Sequence, residues 1–506
     1  MKIVIIGGGM AGLAAGIYAQ IAGFESVIYE KYRTLGGQCT GWDRNGYRID
    51  SCISLMGGTK EGTGFNKMWK EFGVIRKEDD IIRPDSFGTA EFNGVSITLW
   101  KNLDRLRTEL LAISPEDEKP IENLIQNCRL MGDISMVVPV DKPVDMMSPG
   151  DLLKVLKALL GAGGILTKNS KTSFAEYAAR FKHPALQKLI LSRLPPYFSI
   201  LGFFFTIGTF ASGNGDLPRG GSRTLPDRMS EKYLALGGRI HTGSAAEEII
   251  VRGNRAVGVR FTANGERFTA EADYVIAACD VHITLTKLLK NQYRDRRFEL
   301  RYRNSRDYPV FSTFHAAFGI QRDLTAYPIS LIFEVEPLTV GLTEYPFIKF
   351  RNYSYDQDFA PPGCSVITVP LNQSGEDYRF WEDLYRRDIE GYRREKQRIG
   401  EELRARLVRR FPEWEGKIQL LDVATPLSYH HYTGAWQGAW MSFMMTPKAK
   451  LLIHSGKIRG LKNCLLTGQW LQPPGGVPTA IMNGRFTIQR ICKMEKRPLL
   501  PPLGGD

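Results

Sequence analysis

Hydrophobic positions follow two rhythms along this chain. Residues 1–6, Met-Lys-Ile-Val-Ile-Ile, are a near-continuous apolar run, the pattern of a strand covered on both faces. The run breaks into Gly7-Gly-Gly-Met-Ala-Gly12, residues 13–22 read as a helix, and residues 26–29 read as the next strand. Strand-like runs recur at residues 255–261, 267–270, 272–278 and 464–467, and residues 310–320 form an apolar strand containing His315. Helical spacing marks residues 152–160, 174–180, a run ending at Leu236, and the charged stretch 379–410.

These elements predict an α/β fold: a Rossmann-type nucleotide-binding domain built from discontinuous segments, with a second α+β domain for substrate. Residues 1–80, 215–299 and 421–497 supply the nucleotide domain. Between them lie a helical substrate or lid region, 81–214, and a mixed sheet and helix region, 300–420. A flexible tail is expected at 498–506. No repeat is visible.

Composition narrows the function class. The 506 residues are 43% hydrophobic and 24% charged, ordinary for a globular protein of more than one domain. The seven cysteines are scattered with no C-x-x-C pair, which disfavours a disulfide framework or zinc site. The first strand begins at residue 2 with no leader-like segment before it, so a cytoplasmic setting is expected. The net charge of +13 comes without a nucleic-acid motif or an aromatic-interleaved basic cluster, so no nucleic acid partner is expected. Residues 379–410 mix both signs and read as a solvated, salt-bridged helix face. Residues 194–215 carry no charge, and the five phenylalanines between Tyr197 and Phe210 suit the wall of an apolar cavity. Prolines and glycines interrupt that stretch, so a membrane span is disfavoured and a shallow, peripheral membrane contact is the second reading.

The opening glycines carry the clearest chemistry. Gly7 permits a tight turn, Gly9 lets backbone approach a pyrophosphate, and Gly12 lets helix and strand pack closely. Met10 and Ala11 sit at the helix start, where unpaired N–H groups receive phosphate. Glu30 ends the second strand, 23 residues after Gly7, where a carboxylate accepts ribose hydroxyls; Lys31 follows it. Gly36-Gly37-Gln38-Cys39-Thr40 then resembles the second fingerprint of two-dinucleotide-binding-domain flavoproteins, with Gln38 where that family often has Arg. Near the C-terminus, residues 466–485, containing Gly468 and the run Gly475-Gly476-Val477, resemble the closing FAD motif of the phytoene desaturase, carotenoid isomerase and retinol saturase group. Pro218-Arg-Gly-Gly-Ser222, residues 236–240 and the segment from Ala246 to Ile250 resemble that group's adenine-contacting region, and Thr425-Pro426 with Tyr432 its pre-C-terminal element.

The resemblance implies FAD, held by the residues just named, and oxidation, saturation or isomerisation at C–C or C=C bonds of an unsaturated apolar molecule such as a carotenoid. No second strand–GxGxxG–helix unit is present; Gly161-Ala-Gly-Gly164 follows a helical run. A diffusible electron donor or acceptor is therefore expected, or a reaction without net redox change. Candidate proton carriers are His430, His431 and His315; no metal-ligand spacing occurs. A flavin amine oxidase and a non-catalytic, flavin-bound, membrane-associated scaffold are the alternatives.

Overall fold

A computed structural model describes residues 1–136, 139–153 and 163–504. The predicted helix at 152–160 lies largely outside the described residues, as do Gly161 and Ala162.

Five parallel strands form the nucleotide sheet, in the order Arg239–His241, Glu25–Tyr29, Lys2–Ile6, Tyr274–Ala277 and Cys464–Leu466. Neighbours in this sheet come from far apart in sequence, so three separated stretches close one unit. Both faces of the opening strand are buried, as its continuous apolar run predicts. Ile3 and Ile5 pack under the helices Met10–Ile21, Thr224–Ala235 and Val477–Met494. Val4 and Ile6 face the antiparallel layer Ser244–Arg252, Arg255–Ala263 and Glu266–Glu271.

A seven-stranded sheet forms the second layer system, in the order Ile418–Ala424, Ser312–Ile320, Ser365–Gln373, Thr343–Asn352, Ser330–Val340, Ser86–Phe92 and Val95–Trp100. One face, with Phe314, Ile348, Phe350 and Val369, packs on the helices Gly375–Arg387 and Ile389–Arg410. Along those helices, pairs such as Arg398–Glu395 and Arg393–Glu390 lace the exposed side, matching the solvated reading of this stretch. The Asp388 side chain caps the second helix at Gly391 N–H and separates the two.

Two expectations are corrected here. Residues 81–214 are not wholly helical, because the hairpin Ser86–Phe92/Val95–Trp100 extends the second sheet. Its turn, Asn93-Gly94, has both residues at positive φ, the geometry of a two-residue hairpin connection. The tail is also not loose through residue 504. Leu500 and Leu503 are buried in the nucleotide-domain core, Leu500 N–H donates to Gln489 Oε1, and Leu503 N–H donates to Asp141 Oδ1. Two apolar side chains and two anchored amides outweigh the conformational entropy of so short a segment.

The phenylalanine-rich stretch forms the helix Leu201–Ala211. Among the described residues, no helix is long and apolar enough to cross a membrane.

Candidate active site

A cavity of 660 Å³ lies where the nucleotide sheet meets the second domain. At one end, the helix Met10–Ile21 begins at Gly9 with no side-chain cap. At the same end, the helix Val477–Met494 begins at Gly476, also without a side-chain cap. Gly9, Met10, Ala11, Gly475, Gly476 and Val477 all line the cavity. Two positive helix ends therefore open onto one space, the arrangement that receives a diphosphate and an electron-rich ring.

The glycines differ in what they make possible. A Cβ on Gly12 would lie 2.0 Å from Gly7 O, so this position serves packing of helix on turn. A Cβ on Gly9 would meet only Gly36 and Gly37 backbone, none nearer than 3.7 Å, and Gly9, Gly36 and Gly37 all line the cavity. Gly9 thus keeps a space clear that protein does not fill. Gly36 and Gly37 have φ of 104° and 60°, Gly475 and Gly476 φ of 91° and 92°, left-handed conformations that favour glycine. Gly36 N–H donates to Gly8 O at 2.9 Å, locking the second fingerprint to the first.

Glu30 is almost fully buried, with Gly8 N–H donating to Oε2 at 2.7 Å and Tyr32 N–H to Oε1 at 3.0 Å. The carboxylate fixes the glycine turn, and each oxygen keeps a lone pair for a ribose hydroxyl. Gln38 takes a role of its own. Its amide donates to Ala439 O, its Oε1 accepts from Gln469 Nε2, and Gln469 Oε1 accepts from Gly476 N–H at 3.0 Å. Gln38 therefore ties the N-terminal fingerprint to the C-terminal glycine pair through one intermediary.

Of the predicted cofactor residues, Gly9, Met10, Ala11, Gly36, Gly37, Gln38, Gly468, Gly475, Gly476 and Val477 come together on the cavity wall. Gly7, Gly12 and Glu30 stand behind it in the turn. Lys31, whose ammonium donates to His431 O at 3.0 Å, Thr40, whose hydroxyl reaches Gly41 O, and Ala246, in the antiparallel layer, do not line it.

None of the three candidate histidines reaches the cavity wall. His430 pairs Nδ1 with Ala435 O at 2.8 Å, and His431 is exposed beside Tyr32. His315 is buried against Trp42, and burial followed by the Arg351 charge holds its imidazole down at about 3. Their positions fit structural roles rather than proton transfer to a substrate. The folded His315 refuses a proton that the unfolded chain accepts below about pH 6.5. Its contribution to stability is therefore intact above that value and is lost as pH falls towards 3, with a slope of up to about 1.4 kcal/mol per pH unit. His315→Gln is expected to flatten this part of the pH–stability curve in urea unfolding, and an unchanged acid limb would refute the neutral, buried assignment.

Beyond the nucleotide end the walls turn apolar. Phe203, Phe205 and Ile207 of the phenylalanine-rich helix line it, as expected from the sequence, with Phe87, Phe311 and Trp440 opposite. The sequence reading missed four charged groups. Asp280 lies at the nucleotide end, where its carboxylate accepts Trp436 and His282 N–H and burial raises it to about 6. Arg193, Lys349 and Arg351 line the cavity too. The available signal was alternation: Lys349 and Arg351 share one face of a strand whose other face carries Ile348 and Phe350.

Residues 5–72 match the family of NAD(P)-binding Rossmann-like domains. The chain is 22% identical to a 1-hydroxycarotenoid 3,4-desaturase from Flavobacterium sp. (strain P99-3), over 97% of this chain and 99% of that protein. It is also 22% identical to the chloroplastic prolycopene isomerase of Daucus carota, over 98% of this chain and 81% of that protein. Among solved structures, an oxidoreductase from Methanosarcina mazei aligns with a TM-score of 0.59 at 15% identity, over 98% of this chain and all of that one. Putrescine oxidase bound to putrescine aligns at 0.55 and 13% identity, over 97% and 99% of the two chains. These structural likenesses show the fold alone.

Proposed function

We infer that this chain is a phytoene-desaturase-like flavin oxidoreductase that acts on C–C or C=C bonds of an unsaturated, apolar substrate, and that its flavin is FAD. The observation that carries this reading is the single cavity joining two uncapped helix N-termini to a phenylalanine-lined space. When bound, a flavin supplies hydride or single-electron exchange with a substrate carbon.

The chain's own residues supply position and exclusion. The N–H groups at Met10 and Ala11 would hold the diphosphate and Glu30 the ribose, with the Ala246 backbone, outside this cavity, left to meet the adenine. The helix N-terminus at Val477, on the cavity wall, would stabilise negative charge on a reduced flavin. Gln38 and Gln469 keep the two glycine fingerprints in register. Phe203, Phe205 and Ile207 remove water from the substrate side, where apolar contact supplies affinity. No proton donor on the cavity wall is assigned, in keeping with chemistry carried by the cofactor. The partner in electron exchange is a diffusible donor or acceptor; the setting is cytoplasmic, with a peripheral membrane contact as the route by which an apolar substrate arrives.

The fold likeness to putrescine oxidase raises an amine oxidase as a second reading. Cavity charge weighs against it, since an ammonium substrate would meet Arg193, Lys349 and Arg351. Incubation of the flavin-loaded protein with a polyene panel and an added quinone acceptor is expected to bleach or shift polyene absorbance. Peroxide release on amines, with polyenes untouched, would replace the proposal with the amine oxidase reading.

A further inference from the structure

Three cations converge on the apolar part of the cavity with little to neutralise them. Lys349 and Arg351 project from the strand Thr343–Asn352 on the face opposite its buried core residues, and Asn372 of the adjacent strand lines the same wall. Arg193 reaches the cavity from the chain just before the phenylalanine-rich helix. Its Nε and Nη2 are buried and have no hydrogen-bond partner among the described residues. No ion pair forms at any of the three among the described residues, on a chain whose surface cations are extensively paired. All three line the same cavity, and burial, then the charges of Arg351 and Arg193, push Lys349 well below its usual range. The carboxylate that feels Arg351 is Asp50, which is already occupied by Ser222 and Cys52 N–H groups. Asp280, the one acid on the cavity wall among the described residues, accepts backbone N–H groups at the nucleotide end.

Burying an unpaired charge is unfavourable, and a cluster of like charges more so. A pure hydrocarbon ligand would leave this cost in place. Extending the proposed function, on which this step rests, we propose that the substrate is an apolar, unsaturated chain ending in a carboxylate, which Arg193 and Lys349 bind while Arg351 and Asn372 flank it. A guanidinium fork presents parallel N–H donors that match a carboxylate. Arg351 already lies within reach of the Asp50 carboxylate, which leaves Arg193 and Lys349 to face one negative charge rather than two. The anionic end would fix how far the chain slides along the cavity, and so which of its C–C bonds lies beside the flavin.

Binding of cis-parinaric acid, a fluorescent polyene acid, and of its methyl ester to the flavin-loaded protein tests this. The acid is expected to bind at least about tenfold more tightly than the ester, the effect of one or two charge-assisted hydrogen bonds. Arg193→Gln and Lys349→Gln, each checked for flavin content and thermal midpoint, are expected to remove most of that preference and leave ester binding unchanged. Arg193→Lys should keep part of it. Dodecanoate should displace the acid better than dodecyl phosphate. Equal binding of acid and ester by the wild type would overturn the proposal, as would a preference surviving in the doubly substituted protein or displacement by the phosphate alone. Loss of flavin in the variants with the preference unchanged would reassign the cations to the cofactor. Failure of both probes to bind would instead overturn the apolar-substrate reading, and this proposal with it.

Discussion

Gly9→Ala gives a folded protein that binds FAD roughly 100-fold more weakly, because about 2–3 kcal/mol of charge-assisted hydrogen bonding is lost at the diphosphate. The backbone at Gly9 has φ of −74°, which alanine adopts freely, and the added Cβ meets no protein atom within 3.7 Å. The methyl group instead occupies the space the diphosphate needs beside the N–H groups of Met10 and Ala11. Thermal unfolding of the flavin-free protein should therefore be little changed, whereas titration with FAD should shift by two decades. Wild-type affinity in this variant would mean the diphosphate lies elsewhere.

Gly12→Ala behaves in the opposite way. Its Cβ would sit 2.0 Å from Gly7 O, and that carbonyl belongs to the turn that starts the nucleotide loop. Neither backbone can yield without separating the helix from the opening strand, so the expected loss is about 3 kcal/mol or more of stability. Soluble yield and the denaturant midpoint should both fall, with or without FAD. As a control, Gly163→Ala meets nothing within 4 Å among the described residues and is expected to stay within about 0.5 kcal/mol of the wild type. A stable Gly12→Ala protein that had lost only its flavin would contradict the packing role. Two neighbouring glycines with the same substitution thus separate binding from folding.

Local patterns made the nucleotide half legible. Residues 1–30 state their strand, turn and helix within a few residues of each other, and the glycine pairs at 36–37 and 475–476 need positive φ wherever they fall. The hairpin at 86–100 is legible through Asn93-Gly94, although helical spacing dominates the residues that follow it. Other features depended on contacts distant in sequence. The tail looks like a proline-rich end until Leu500 and Leu503 find the core beneath them. Lys349 and Arg351 alternate with Ile348 and Phe350 as they would on any half-exposed strand. Only the helical layer placed over that face turns a solvent side into a cavity wall. His430 and His431 misled for the same reason: proximity in sequence to the C-terminal motif did not orient their rings towards the cavity.

The discontinuous flavin site is tested most directly by the absorbance spectrum of the purified protein, together with the nucleotide it releases on heat denaturation. A yellow protein releasing FAD, close to one per chain, is the predicted result. A colourless protein that takes up no added FAD, or one that releases only a nicotinamide dinucleotide, would contradict it.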